Sequence, residues 1–244
     1  ELAGQSRHGV NLLILTWVLW FMLHTFVQFG RRGRAEDIMA EMRTLAERSG
    51  QPYLLILSMV NDTILAIWDG RLEEAVAIRR RILARAEELG ILEFAAIWTS
   101  WILPARVHLG DAGRALESAL QGSRNIPENV AADMVILFCL AHLGRYAEVA
   151  EMLERLVVAR PGIGSAEDET VAFFDIAALQ AAVLAAHRPA AELLLRRLAG
   201  SSSITSGLLF TTCTGRHLGG AAVFLGDMMK PASTIRRQSR SVPR

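Results

Sequence analysis

The sequence predicts an all-α protein: a right-handed α-solenoid of about five to six antiparallel helical hairpins. Three observations carry this expectation. Long apolar runs alternate with charged runs in which alanines recur at helical spacing. A similar junction text separates them six times, at Gly30, Gly70, Gly110, Gly144, His187 and Gly226, with intervals of 40, 40, 34, 43 and 39 residues. No segment sustains the period-two alternation of a half-buried strand.

One junction explains the rest. A glycine just past a helix takes the left-handed conformation that closes the last turn. A short turn follows, and acids then appear in the first turn of the next helix, where the helix dipole favours negative charge. "GRLEEAVAIRRRILARAEELG" has Glu73 and Glu74 at its start and arginines later, with Ala75, Ile78, Ile82 and Ala86 on one face. Each hairpin therefore pairs an apolar A helix with an amphipathic B helix, and stacked neighbours cover what one hairpin cannot bury. The A helices are expected at 9–29, 52–69, 92–109, 129–143, 167–186 and 204–225, and the B helices at 33–49, 71–89, 111–122, 146–159 and 189–199. Pro104 falls inside the third A helix and predicts a kink or a break there. The last hairpin stops early: residues 1–227 form the solenoid, and 228–244 a basic, disordered tail.

The first A helix, "NLLILTWVLWFMLHTFVQFG", admits two readings. From Gly9 to Gly30 only His24 can carry a charge, and "RRGR" follows. Length and flank suit a membrane span through residues 10–29. Yet "GRRGRAED" is also the repeat junction in register, which favours a buried solenoid helix. Its load of Trp17, Trp20, Phe21, Phe26 and Phe29 predicts something packed against it, a missing upstream repeat or a second copy of the chain. The absence of an initiator Met fits a start inside a longer protein.

The junction texts resemble tetratricopeptide-like repeats, with somewhat longer units. "AERSGQPYLLILSMVNDTILAIWDGRLEEAVAIRRRILARAEELG" and "ELLLRRLAGSSSITSGLLFTTCTGRHLGGAAVFLGD" are similar to the helical-repeat region of bacterial AAA-type ATPases linked to class III adenylate/guanylate cyclases, and of related large transcriptional regulators. The likeness covers roughly residues 35–227. It implies a cytoplasmic sensor or scaffold. None of that family's enzymatic motifs stands in this chain, so it implies no catalytic residue and no cofactor.

Charge narrows the partners. The last 15 residues carry five basic side chains and no acid, leaving 21 basic against 25 acidic in the rest. A mildly acidic body with a short basic tail is not the pattern of a nucleic-acid-binding domain. Cys139 and Cys213, each within an apolar run, read as small buried hydrophobes rather than as a disulfide or metal site. "RPGIGS" is the one notable glycine-rich loop, and it reads as a connector because no strand precedes it. His108 and His142 hold equivalent places in successive repeats, roughly ~8–10 Å apart by helix packing. His217 stands on a different turn, so no three-histidine metal site is expected. Glu167, Asp168 and Glu169 read as partners of a helix dipole.

Polar residues inside the A helices mark the candidate site. Asn61 and Asp62 interrupt one apolar run, Asp175 another, and Thr211, Thr212 and Thr214 a third. A buried carboxylate needs a partner. With Trp68, Trp98 and Trp101 these residues are expected to line a concave groove for a protein, peptide or small ligand. Structural pairing with neighbouring repeats is the competing account. A small-molecule enzyme with its site in that groove is the rival from another class, distinguished by a catalytic constellation in a closed pocket.

Overall fold

The computed structural model describes residues 11–124, 130–165, 167–168, 170–205 and 212–226. Every regular element among them is helical: α1 (Leu12–Gln28), α2 (Arg32–Ser49), α3 (Pro52–Trp68), α4 (Leu72–Glu88), α5 (Leu92–Thr99), α6 (Leu103–His108), α7 (Ala112–Arg124), α8 (Val130–His142), α9 (Tyr146–Leu153), α10 (Ala172–Leu184), α11 (Arg188–Ala199) and α12 (Thr214–Leu225). One isolated antiparallel bridge, Thr205 to Cys213, is the sole strand-like pairing described. The expected tail 228–244 and Thr211 lie outside the described residues.

The hairpin alternation is as the junctions predicted. α1, α3, α5–α6, α8, α10 and α12 are A helices; α2, α4, α7, α9 and α11 are B helices. Each packs on its sequence neighbours, and A helices also touch the next A helix, as α6 on α8 and α8 on α10. The glycine junctions close identically. Gly30, Gly70, Gly110 and Gly144 take positive φ, and the amide after each reaches back five residues, as Arg31 N to the Phe26 carbonyl at 2.8 Å. At the fifth junction Ala186 takes that place with φ 53°, and His187 N still reaches the Ala182 carbonyl at 2.8 Å. Ala75, Ile78, Ile82 and Ala86 are all buried on α4, and Glu73 and Glu74 stand in its first turn.

Pro104 breaks its A helix. α5 ends at Thr99, a 3-10 turn spans Ser100–Ile102, and α6 begins at Leu103. The Leu103 amide bonds the Ser100 carbonyl instead of Thr99. The Thr99 carbonyl is taken by Arg79 Nε at 3.2 Å. Among the described residues no carboxylate pairs with that arginine; burial and the nearby Arg106 bring its pKa down to about 10.

Two expectations are corrected. The A helix drawn at 167–186 begins only at Ala172, because the preceding backbone serves an ion cluster: Asp168 and the Thr170 carbonyl hold Arg197. Asp168 is thus an arginine ligand, not a dipole partner in a first turn. The A helix drawn at 204–225 begins at Thr214. Residues 201–205 run instead beside the end of α1, and Cys213 is exposed rather than buried.

That segment ties the first hairpin to the last. The Gln28 carbonyl accepts from the Ile204 and Thr205 amides at 2.9 and 3.2 Å. Gln28 Nε2 donates to Ser203 Oγ at 2.6 Å, and Thr205 Oγ1 to the Val27 carbonyl at 2.8 Å. Both carbonyls lie in the last turn of α1, where a helix leaves acceptors over; that of Val27 also accepts from the Gly30 amide at 3.0 Å. The core divides into two apolar clusters, one from Leu15 to Ala105 and one from Leu103 to Ala221, with Trp101 packed against both.

No described helix is long and apolar enough to cross a membrane. α1 is 17 residues long, or about 26 Å against the ~30 Å of a hydrocarbon core. One face, including Leu15, Leu19, Trp20, Leu23 and Val27, is buried in the fold.

Candidate functional site

The candidate residues fall into four settings. Trp98 and Trp101 sit together, ring centroids 5.2 Å apart, and both meet α1. Trp20 lies 5.0 Å from Trp98 and 6.2 Å from Trp101, and Trp17 lies 5.6 Å from Trp98. His24 stands edge-on to Trp101 at 5.5 Å and 6.0 Å from Phe173 at the start of α10. The aromatic rings expected to line the groove are thus packed against the first A helix. Burial among them drives the His24 pKa down to about 4, so the ring is neutral in the folded chain. Trp101 Nε1 is buried without a hydrogen-bond acceptor.

Trp68 stands apart, with the Arg32 guanidinium 5.7 Å above its ring. Arg32 also bonds Asp69 at 2.7 Å and Glu36 at 2.8 Å, so it links the first and second junctions. Asn61 and Asp62 form the third setting. Asn61 is fully buried; its Nδ2 meets Met42 Sδ at 3.6 Å while its Oδ1 has no partner. Asp62 is part-exposed and pairs with Arg43 on α2. Burial raises its pKa more than Arg43 and Arg81 lower it.

Asp175 is the fourth setting and the most elaborate. Its carboxylate is 1% exposed and each oxygen holds one arginine: Oδ1 accepts from Arg160 at 2.9 Å, and Oδ2 from Arg197 Nε. Asp168, 2% exposed, faces the same two arginines at 3.2 and 2.9 Å. Arg197 also donates to the Thr170 carbonyl at 2.5 Å. Burial opposes the Asp168 charge, but the Thr170 and Gly164 amides and Arg160 prevail and hold its carboxyl below the usual range. Two cations and two anions thus neutralise one another out of water. "RPGIGS", expected as a connector, is one, and it delivers Arg160 to this cluster. Sequence reading missed the roles of Arg160 and Arg197 and gave Asp168 to a helix dipole; the available signal was that buried Asp175 required cations.

Thr212 precedes α12 rather than lying in a helix, and its Oγ1 is 3.1 Å from His217 Nε2. Burial and Arg216 bring the His217 pKa to about 4. His108 and His142 come closer than expected, with ring centroids 6.0 Å apart. His142 Nε2 lies 3.3 Å from Gln180 Nε2. Among the described residues no three His, Cys, Asp or Glu side chains are placed to hold a metal. Burial pushes the Cys139 thiol up to about 12, far from a reactive thiolate.

No known protein family, curated protein or solved structure matches the chain.

Proposed function

We propose that the chain is a non-catalytic helical-repeat module for protein interaction that acts as a homodimer through α1. In this reading it is the cytoplasmic sensor or scaffold region of a bacterial signalling ATPase, cyclase-linked ATPase or transcriptional regulator. The likeness of residues 35–227 supports that setting.

The carrying observation is the outer face of α1. Ile14, Val18, Phe21 and Thr25 follow one another at steps of four, three and four residues and all are exposed. Ile14 and Phe21 expose 58% and 65% of their surface, and Leu13 flanks them at 59%. Three- and four-residue spacing draws a straight seam along a helix, the shape that receives another helix. It runs about 16 Å from Ile14 to Thr25. No charge interrupts it, so two copies can meet across a two-fold axis without like-charge repulsion. Isolated exposed leucines need no explanation, but an aligned apolar seam does.

Sedimentation velocity over a micromolar concentration series tests this, with Val18→Glu/Phe21→Glu as the variant. The wild type should sediment as a dimer and the variant as a monomer with an unchanged helical circular dichroism spectrum. A monomeric wild type, or a dimeric variant, overturns the reading.

A further inference from the structure

We infer that Arg79 and Arg106, at the break between α5 and α6, form a binding site for a phosphoryl group. This site is separate from the α1 seam and does not depend on it.

The broken helix creates the site. The Leu103 amide bonds the Ser100 carbonyl, which leaves the Thr99 carbonyl to Arg79 Nε at 3.2 Å. That bond fixes the Arg79 guanidinium by one of its five N–H donors. Its Nη1 and Nη2 have no acceptor among the described residues, and neither is sealed from solvent. Arg106 lies on α6 with 20% of its side chain exposed, and Asp111 holds it through Nη1 at 3.3 Å. Its Nε is buried out of reach, but its Nη2 is neither bonded nor sealed off. α4 packs on both sides of the break, on α5 and on α6, and so carries Arg79 to the element that bears Arg106.

Charge identifies the ligand. Charges removed from water are as a rule paired. Arg160 and Arg197, also shielded, have Asp168 and Asp175. Arg79 has no such partner: burial first and then Arg106 both act against its charge. Its neighbour Arg80 is a further cation, exposed on α4. Asp111 answers Arg106 alone, so two cations face one carboxylate. The missing group is therefore an anion, since a cation or a neutral donor would meet only N–H groups. Three guanidinium nitrogens stand ready, two on Arg79 and one on Arg106. A guanidinium fork binds two oxygens of a carboxylate or a phosphate. Arg79 would engage both oxygens of a carboxylate; a phosphoryl group offers Arg106 a third, with more charge.

Titration calorimetry of the full chain with inorganic phosphate and with acetate, at constant ionic strength and about pH 7.5, tests the site; phosphate is then mostly dianionic. The wild type is compared with Arg79→Met, Arg106→Met and Arg80→Met, each checked for folding by circular dichroism. Phosphate should bind the wild type more tightly than acetate does. Arg79→Met and Arg106→Met should each weaken phosphate roughly tenfold, the loss of a charge-assisted bond. Arg80→Met, which removes an exposed charge beside the site, should leave it unchanged. No phosphate binding, acetate bound as tightly as phosphate, phosphate affinity indifferent to Arg79→Met, or an equal loss from Arg80→Met overturns the inference. If Arg79→Met does not fold, Arg106→Met against Arg80→Met decides by the same comparison.

Discussion

Asp175→Ala should be the most destabilising single change among the candidate-site residues, and Asp62→Ala one of the mildest. Both remove an aspartate from an A helix, but their surroundings differ. At Asp175 the loss leaves Arg160 and Arg197, 16% and 15% exposed, facing Asp168 alone. Breaking a buried ion pair by removing one partner costs about 3–5 kcal/mol, because the surviving charge stays out of water. For a chain of this size each kcal/mol moves the midpoint by about 2–4 °C, so the drop should be about 6–20 °C. Asp62 and Arg43 are 40% and 51% exposed. Such a pair is worth about 0–1 kcal/mol, and Asp62 already resists ionising. Urea unfolding followed by circular dichroism gives both values. Asp175→Asn, which keeps the shape and sheds the charge, should fall between. If Asp175→Ala lies within about 1 kcal/mol of Asp62→Ala, the buried cluster is not the structural tie described here.

Ala186→Gly should stabilise the protein by about 0.5–1 kcal/mol. It relieves the ~1–2 kcal/mol penalty of a left-handed non-glycine residue, less ~0.4–1 kcal/mol for the freer unfolded chain; urea midpoints report it. Stability should fall as pH drops from about 6.5 towards about 4, because the unfolded chain takes up protons that His24 and His217 refuse in the fold. His24→Phe should flatten that slope in pH-dependent melts, and an unchanged slope would remove His24 from the account. Thr205→Ala deletes the hydroxyl donor to Val27 and should cost about 0.5–1.5 kcal/mol. Hydrogen exchange should then quicken in the last turn of α1, 178 residues away in sequence.

The repeat was legible because its signals are local. Glycine after an apolar run, then acids, then alanines at helical spacing specify a hairpin wherever they occur, and Pro104 broke its helix for reasons contained in one turn. The late starts of α10 and α12 were illegible for the opposite reason. "GSAEDETVAFF" reads as a helix start until Arg160 and Arg197 claim Asp168 and the Thr170 backbone. Ile204 and Thr205 read as a helix start until the carbonyls of Val27 and Gln28 claim them. Tertiary partners overrode local propensity in both cases. The same holds for the candidate site. That Asp175 needed a partner was plain from its apolar surroundings, but which cations would answer was not. That Trp98 and Trp101 belonged together was readable from their spacing, whereas their packing on Trp17 and Trp20 depends on how tightly the hairpins curve.

The tie between α1 and residues 203–205 alters what kind of repeat protein this is. An open solenoid behaves as a line of units, each feeling only its neighbours, so ends fray and units can be gained or lost at modest cost. Joining the first unit to the last gives the line a periodic boundary. Those bonds couple the opening of the first unit to that of residues 203–205, so melting is expected as one event instead of a progression. Insertion of a whole hairpin, which a line tolerates, would here displace Ser203 and Thr205 from Gln28 and Val27. An added unit would cost the four hydrogen bonds that residues 203–205 make with the end of α1.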